Sequence, residues 1–353
     1  MDLERLDKIK VNFITGPGRS GTTLLVYVLN QSEQCVATPE IKHLLFFYAR
    51  YKDITEVTVK LVADLKKYLR FIKGAKQFSL SDVEEKTWID ELKPGMRINY
   101  ARLSKLFYLS LIDGKGDMDT ISCIVDKNPY YTFYIDKILT VFPDARFVVM
   151  LRDHRAFVLS NRQSQKHHVR ILSVFYYAAV WNLYLQKILA AREKYGTAIH
   201  LVRYEDLAEN KEKVIEEICN FLGVDYSPAL FDFYKSVSER LVKKNISIDH
   251  IARATKKLKD LSSPINVSRV NSWKTQLTAD DIAKADLICS QTAPKVGYYP
   301  LAESKEFTKL LYRILSLPDL MRVKAFMVLD SPRLNYLINL SSARKSKKLL
   351  ENN

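Results

Sequence analysis

Short apolar runs alternate with longer segments of helical periodicity along most of the chain. Runs typical of buried strands occupy residues 11–15, 120–125, 146–151 and 198–202. Helical patterns occupy residues 24–29, 131–142, 169–195 and 211–222, and the last ends at Gly223, a good helix C-cap. Strands that alternate with helices predict a parallel sheet with helices on both faces, which is a three-layer α/β/α fold.

A long helical insertion, about residues 41–115, separates the first strand and helix from the strand at 120–125. Its amphipathic runs, at 51–71 and 100–111, are expected to pack beside the sheet and to form a pocket above the carboxyl ends of the strands. The region 228–264 can add another wall.

The chain is predicted to form one domain over residues 1–300, followed by a C-terminal helical extension and basic tail over 301–353. Apolar helices at 306–340 within this extension can pack onto the core, or they can contact a membrane surface or a partner.

The composition indicates a globular protein with a positive field. Of the 353 residues, 47% are hydrophobic and 27% are charged, which excludes a disordered chain. The formal net charge of +15 favours anionic ligands. Nucleic acid is not an expected partner, because no nucleic-acid-binding module is recognisable and the basic residues are dispersed.

The spacing of cysteine and histidine argues against a disulfide framework and against a metal centre. The 4 cysteines stand far apart without a C-x-x-C pair, as is typical of reduced thiols. The histidines show no ligand spacing such as H-E-x-x-H. No signal peptide fits the charged amino terminus, and no apolar stretch is long enough to span a bilayer. A cytoplasmic protein without a metal is therefore expected.

A glycine-rich loop joins the first predicted strand to the first predicted helix. Its sequence is Gly16-Pro17-Gly18-Arg19-Ser20-Gly21-Thr22-Thr23. The N–H groups of such a loop converge on one point, and the helix dipole adds partial positive charge, so a phosphate is the expected ligand. Gly21 permits close approach, and the hydroxyl groups of Thr22 and Thr23 can donate further hydrogen bonds.

This loop departs from the P-loop NTPase pattern G-x-x-x-x-G-K-[ST], because Thr22 occupies the lysine position. The cation of the loop is Arg19 instead. R-S-G-T-T after a strand resembles the 5′-phosphosulfate loop of sulfotransferases that use 3′-phosphoadenosine 5′-phosphosulfate (PAPS). The resemblance implies a P-loop-like fold and a donor 5′ end bound by Gly18, Arg19, Ser20, Gly21, Thr22 and Thr23.

Residues 142–153 resemble the second signature of the same family, in which a strand ends in Arg and a Ser follows eight positions later. Arg152 and Ser160 keep this interval. A guanidinium at a strand end and a hydroxyl two helical turns along can both reach a 3′-phosphate. The family more often has Pro where this chain has His154.

Two later segments extend the resemblance over roughly residues 10–300. Residues 202–207 supply Tyr204, whose ring can stack on adenine. Residues 267–273, with Gly297-Tyr298, resemble a closing segment around the 3′-phosphate, in which either Arg269 or Lys274 is the implied contact.

The resemblance also implies which residues perform the chemistry. Cytosolic members use a histidine base in a Lys-Thr-His-Leu-Pro stretch, but residues 126–129 here are Asp-Lys-Asn-Pro. The tyrosylprotein branch uses a glutamate downstream of the phosphate loop, and Glu40 matches it, with Lys42 in place of a nearby basic residue. Glu40 is thus the implied base, particularly if partial burial raises its pKa. Arg19 and Lys127 would stabilise charge on the leaving phosphate and on the sulfuryl group.

The sequence therefore predicts a sulfotransferase that moves a sulfuryl group from PAPS to a hydroxyl or amine by in-line displacement and releases adenosine 3′,5′-bisphosphate. One alternative is a deviant P-loop kinase or NTPase, with Asp126 and Asp153 as the candidates for magnesium ligands. Another is a non-catalytic anion-binding protein with the same fold. The acceptor (sugar, lipid, peptide or small molecule) and the oligomeric state stay open.

Overall fold

The computed structural model describes residues 3–38, 40, 42–74, 88–110, 119–164, 172–235, 261–301 and 306–329. Its strands are β1 (Lys10–Thr15), β2 (Cys35–Thr38), β3 (Cys123–Lys127), β4 (Phe147–Leu151) and β5 (Ile199–Arg203). The first helices are α1 (Leu3–Lys8), α2 (Thr22–Leu29), α3 (His43–Tyr51), α4 (Val59–Gly74), α5 (Tyr100–Leu109), α6 (Ile135–Val141) and α7 (His154–Ser164). The later helices are α8 (Val174–Tyr195), α9 (Tyr204–Glu209), α10 (Lys211–Leu222), α11 (Trp273–Gln276), α12 (Ala279–Cys289) and α13 (Glu306–Leu329). Short 3-10 turns occupy Trp88–Glu91, Pro129–Phe133, Gly196–Ala198, Pro228–Asp232 and Ala293–Val296.

The strands form a five-stranded sheet in the order β2-β3-β1-β4-β5. All neighbouring strands run parallel, with Ile14 paired to Lys127 and Leu151 paired to Arg203. β1 lies between β3 and β4. After β1 the chain forms β2 and β3 on one side of it, and it then crosses to the other side to form β4 and β5. A crevice opens at the carboxyl ends of the strands where this switch occurs, and ligands of open α/β sheets bind there. The predicted α/β fold with a central parallel sheet is confirmed.

Two apolar cores cover the two faces of the sheet. In β1, Phe13 packs into the core formed with α5 and α8, whereas Ile14 packs into the core formed with α2 and α10. In β4, Phe147 and Val149 belong to the first core, and Val148 belongs to the second. Successive side chains of a strand point to opposite faces, so a strand buried on both faces is apolar throughout. This burial explains why the strands read as short continuous apolar runs.

The structure differs from the sequence prediction in two elements near the site. β2 was not predicted, because a four-residue strand is too short to show a period. The predicted helix at 131–142 consists of the 3-10 turn Pro129–Phe133 followed by α6. The turn forms because Pro129 occupies its first position and the side chain of Asn128 accepts a hydrogen bond from the N–H of Tyr130.

The predicted insertion contributes α3, α4 and α5 to the described part of the chain. The run predicted to begin at residue 51 is interrupted, because Tyr51 ends α3 and α4 starts at Val59. The hydroxyl of Tyr100 donates to the carbonyl of Leu44 at 2.6 Å, which joins α5 to α3 beside the end of β3. Residues 75–87, 111–118, 165–171, 236–260, 302–305 and 330–353 lie outside the described residues, and parts of the predicted elements, including the basic tail, fall on them.

The helix α13 packs against α8 and α12 through its half-buried and buried side chains. The predicted domain boundary near residue 300 stays a prediction. None of the helices in the described ranges combines the length and apolarity that a bilayer crossing requires.

Candidate active site

The loop after β1 leads into the amino end of α2 with Gly21 as the N-cap. Gly21 has a left-handed backbone with φ of 88° and makes no side-chain cap, and the first turn of α2 contains no acidic residue. The N–H groups of a first helical turn have no partner within the helix and carry partial positive charge. The side chain of Thr22 is buried, and that of Thr23 is exposed. This helix start has the features of an anion site.

Two glycines let the loop pass close to β4 and to the start of α9. A Cβ atom on Gly16, whose φ is 116°, would lie 2.2 Å from the carbonyl oxygen of Met150. A Cβ atom on Gly21 would lie 2.8 Å from Cδ2 of Tyr204. Gly18 faces open space, with no described atom within 4 Å of a Cβ at that position. The first two glycines are therefore required by the packing, and Gly18 leaves room above the loop.

The loop is held against the turn that follows β3. The hydroxyl groups of Thr15 and Thr132 are 2.8 Å apart, and the N–H of Gly16 donates to Thr132 Oγ1 at 3.2 Å. The N–H of Asn128 donates to the carbonyl of Ile14 at 3.0 Å. These bonds place the end of β3, with Lys127, directly beside the start of the phosphate loop.

Arg19 brings the two ends of the predicted donor site together. Its backbone is left-handed, with φ of 67°, a conformation that costs a non-glycine residue about 1 kcal/mol. Its Nε donates to Ser160 Oγ at 3.1 Å, and its carbonyl accepts from Nη1 of Arg152 at 3.3 Å. The residues predicted for the donor's 5′ and 3′ ends are therefore near neighbours at one edge of the sheet.

Arg152 concentrates positive charge at the end of β4. Its side chain is buried, and its Nη2 donates to the carbonyl of Arg269 at 2.7 Å. The guanidinium carbon lies 4.6 Å from the ring centroid of Tyr204. Burial lowers the pKa of Arg152, and the charge of Arg269 lowers it further. Two guanidinium groups close to one another favour an anion between or beside them. Lys274 instead lies beside the ring of Trp273, with Nζ 5.8 Å from the centroid.

Two buried polar atoms of the predicted donor-site residues have no hydrogen-bond partner among the described residues. They are Oγ of Ser20, in the loop, and Nε of Arg152. Buried polar groups are almost always paired in folded proteins, so an unpaired one needs an explanation. A bound anion that accepts from both groups provides it, and PAPS carries phosphate oxygens at both its 5′ and 3′ positions.

Glu40 and Lys127 form an ion pair beside the loop. Lys127 Nζ lies 2.6 Å from Glu40 Oε1, and the lysine side chain is 4% exposed whereas the glutamate side chain is 54% exposed. Strand β2 creates this pair, because Thr38 is in register with Asp126, and Glu40 and Lys127 follow these two residues. The side chain of Glu40 is therefore exposed, and the partial burial considered for it in the sequence is not seen. Lys42 lies close by, with Nζ 5.8 Å from the ring centroid of Tyr130.

His43 is near Glu40 in sequence but belongs to the core. Its ring centroid lies 4.2 Å from that of Phe107 and 4.3 Å from that of Tyr108. Burial lowers the pKa of His43 to about 3, so the ring is neutral. His43 therefore does not replace the histidine base that residues 126–129 lack.

Asp126 lies fully buried beneath Lys127. Its carboxylate accepts hydrogen bonds from the hydroxyl groups of Tyr108 at 2.6 Å, of Tyr131, and of Thr38 at 3.3 Å. Burial raises the pKa of Asp126 to about 7, although these hydrogen bonds and the charge of Lys127 oppose the rise. No sequence signal pointed to this arrangement, because the tyrosines come from α5 and from the turn after β3.

The pH dependence of unfolding should report the buried state of Asp126. With a pKa of about 7 in the folded chain and an ordinary value of 3.8, this group stabilises the fold below pH 3.8 and loses that contribution as pH rises to 7. The loss is at most on the order of 4 kcal/mol. Asparagine does not titrate, so the free energy of unfolding of Asp126→Asn, measured with urea, should rise relative to that of wild type between pH 4 and 7. The exposed Asp144→Asn is the control, and parallel curves for Asp126→Asn and wild type would refute the assignment.

The carboxylates that a magnesium-dependent kinase would need are already engaged. Asp126 is enclosed by hydroxyl groups, and both oxygens of Asp153 accept from Arg155, at 2.9 and 2.7 Å. Within the described ranges, no group of three or more His, Cys, Asp and Glu is arranged to hold a metal ion. The geometry gives no support to the kinase alternative.

A buried network joins the ends of β4 and β5 to the closing segment. His154 Nε2 lies 2.7 Å from Asp286 Oδ1, and α7 starts at His154 without the proline that is frequent in the family. Glu205 accepts from the N–H of Asp153 at 3.0 Å and from the hydroxyl of Tyr298 at 2.7 Å. These partners come from distant segments, so no local pattern indicated them, and the network lies next to Arg152 and Tyr204 in the chain.

A family model described as the sulfotransferase family matches residues 12–228 of the chain. Protein-tyrosine sulfotransferase A of Caenorhabditis elegans is 25% identical over 300 residues, which cover 84% of this chain and 69% of that protein. Protein-tyrosine sulfotransferase 1 of Danio rerio is 23% identical over 300 residues, which cover 84% of this chain and 74% of that protein.

Solved structures show the same fold. The sulfotransferase domain of the Synechococcus PCC 7002 olefin synthase superposes with a TM-score of 0.51 at 20% identity, covering 82% of this chain and 94% of that domain. The sulfotransferase domain from the curacin biosynthetic pathway superposes with a TM-score of 0.50 at 18% identity, covering 82% and 98%.

Proposed function

Because the chain belongs to the sulfotransferase family, we propose that it transfers the sulfuryl group of PAPS to an acceptor hydroxyl or amine, with Glu40 as the general base. The observation that carries this proposal is the 2.6 Å contact between Glu40 and Lys127 beside the phosphate loop. It puts a carboxylate and a cation next to the helix start that would hold the donor's 5′ end.

The donor would bind across the carboxyl edge of the sheet. The N–H groups and hydroxyls of loop residues 18–23 would bind the 5′-phosphate, with Arg19 as their cation. Arg152 and Ser160 would bind the 3′-phosphate, and Tyr204 would contact the adenine. Arg269 is favoured over Lys274 as the further 3′-phosphate contact, because its backbone bonds to Arg152 and its charge acts on the same guanidinium.

The reaction is an in-line displacement at sulfur. The acceptor oxygen or nitrogen attacks the sulfur atom while Glu40 takes its proton. The bond between sulfur and the bridging oxygen breaks, and its electron pair goes to the 5′-phosphate of the leaving adenosine 3′,5′-bisphosphate. Arg19 and the loop N–H groups stabilise that charge, and Lys127 neutralises the sulfuryl oxygens or donates to the bridging oxygen.

A tyrosine side chain is the acceptor to test first. The two relatives described above are named as protein-tyrosine sulfotransferases. A phenol has a pKa of about 10, so it needs a base such as Glu40 to remove its proton during attack. Sugars, lipids and small alcohols or amines are the other candidates. The cytoplasmic location expected from the sequence stays a prediction, and it determines which acceptors the protein meets.

Two measurements test the donor and the reaction separately. Calorimetry should show that adenosine 3′,5′-bisphosphate binds without magnesium and that ATP with magnesium does not compete. Incubation with PAPS labelled in the sulfuryl group should then transfer the label to a tyrosine-containing peptide or to another member of an acceptor panel. Magnesium-dependent ATP binding without any response to adenosine 3′,5′-bisphosphate would contradict the proposal.

A further inference from the structure

The outward side of α13 carries large apolar side chains in contact with solvent. Their exposed fractions range from 43% for Leu311 to 78% for Phe307. We call this set the outward apolar face; it comprises Phe307, Leu310, Leu311, Ile314, Leu315, Leu317 and Met321. Most of these positions are separated by three or four residues, so they form one stripe along the helix. Such a contiguous apolar surface marks an interaction site.

The side of α13 that faces the protein is partly polar. Ser316 and Asp319 are buried there, and Ser173 at the start of α8 donates a hydrogen bond to Asp319. The ring of Tyr312 packs at 5.9 Å from that of Phe175. The inward side therefore mixes polar residues with apolar ones such as the buried Val323, while most of the large apolar residues of the helix face outward. Packing against the core does not account for the outward apolar face.

Three basic side chains lie at or near the edges of the outward apolar face, and we call them its basic borders. At 100° per residue, Arg313 and Lys324 lie along one edge, together with Glu306, which pairs with Lys309, and Arg322 lies between Leu311 and Leu315 near the other edge. All three residues are exposed, and Arg322 keeps 53% of its side chain in solvent while it pairs with Asp319. An apolar stripe with basic borders is typical of a helix that lies in the plane of an anionic membrane surface.

We propose that α13 binds the surface of an anionic lipid bilayer through the outward apolar face and its basic borders. A second copy of the chain fits this surface less well, because pairing two such faces would bring their basic borders together on molecules of formal net charge +15. Anionic lipid headgroups complement both the charge of the borders and the apolarity of the stripe.

Part of the contact between α13 and α8 lies near the candidate active site. The chain enters α8 from the carboxyl edge of the sheet, and the indole N–H of Trp181 donates to the carbonyl of Arg152 at 2.8 Å. Ser173 and Phe175, which contact α13, precede Trp181 and thus lie beyond that edge. Part of α13 therefore packs beyond the carboxyl edge of the sheet, where the candidate active site also lies.

Vesicle flotation with the full chain tests the proposal. Wild-type protein should float with vesicles that contain phosphatidylcholine and phosphatidylglycerol, and it should bind much less to vesicles of phosphatidylcholine alone or at high salt. The double variant Leu310→Ser/Ile314→Ser should bind the anionic vesicles about tenfold more weakly or less. Arg313→Gln/Lys324→Gln should weaken that binding by about fivefold for each charge removed.

The exposed Val59→Ser, on α4, is the matched control and should bind like wild type; its side chain is 71% exposed. The α13 variants should unfold at the wild-type temperature, because the replaced side chains are exposed. Equal binding to both kinds of vesicle, or no binding to either, would overturn the proposal. A dimer in analytical ultracentrifugation that Leu310→Ser/Ile314→Ser dissociates, without vesicle binding by wild type, would assign this face to a second copy instead.

Discussion

Replacing Glu40 with alanine is expected to lower kcat by about 10²- to 10⁴-fold, the range in which a positioned general base contributes. Affinity for adenosine 3′,5′-bisphosphate should survive, because the predicted donor contacts lie in the loop and at the end of β4 rather than at Glu40. The measurement is the initial rate of label transfer from PAPS, combined with calorimetry of product binding.

Two comparisons make this result specific to the base. Glu33→Ala removes an exposed carboxylate on the approach to β2 and should leave kcat unchanged. Lys127→Met removes the partner of Glu40 and should lower kcat, while product binding persists. Near-normal turnover in Glu40→Ala would show that Glu40 is not the general base, whatever the effect of Lys127→Met on kcat.

Replacing Arg152 with methionine is expected to raise the Kd for adenosine 3′,5′-bisphosphate by about 10²-fold or more. Hydrogen bonds to charged groups contribute about 1.5–3 kcal/mol each, and about 1.4 kcal/mol corresponds to a factor of ten. The buried guanidinium has an unpaired Nε among the described residues, beside the charge of Arg269, so we expect the 3′-phosphate to pair with it. Calorimetry with the product measures the change.

The 3′-phosphate itself provides the control for Arg152. Adenosine 5′-monophosphate lacks that group, so its weaker binding should change little in Arg152→Met. Arg146→Met removes an exposed arginine next to the amino end of β4 and should leave both nucleotides unaffected. Arg152 also bonds to the carbonyls of Arg19 and Arg269, so some loss of thermal stability is expected. An equal loss of affinity for both nucleotides would mean that Arg152 does not contact the 3′-phosphate.

The phosphate loop could be predicted because its chemistry is local. A buried strand, glycines in a turn and the start of a helix follow one another within residues 10–29, so their geometry depends on neighbours in sequence. The interval between Arg152 and Ser160 is local in the same way, since it spans a strand end and two turns of α7. Family resemblance then added the expected role of each residue.

The surroundings of these motifs could not be predicted, because they combine distant segments. The unpredicted strand β2 pairs with β3 and thereby brings Glu40 to Lys127, which are 87 positions apart. The enclosure of Asp126 by Tyr108 and Tyr131 likewise depends on how α5 packs against β3. Neither arrangement leaves a periodic signal, because each depends on strand register and helix packing.

By itself, the sequence determined a parallel α/β sheet and a glycine-rich loop after its first strand, because the spacing of apolar residues and the positions of glycines depend on only a few neighbouring residues. Only the tertiary structure decided that Arg19, Arg152 and Ser160 meet at one edge, and that α13 turns its apolar side to solvent. Contacts of this kind arise from the free energy of packing whole elements together, which no short stretch of sequence contains.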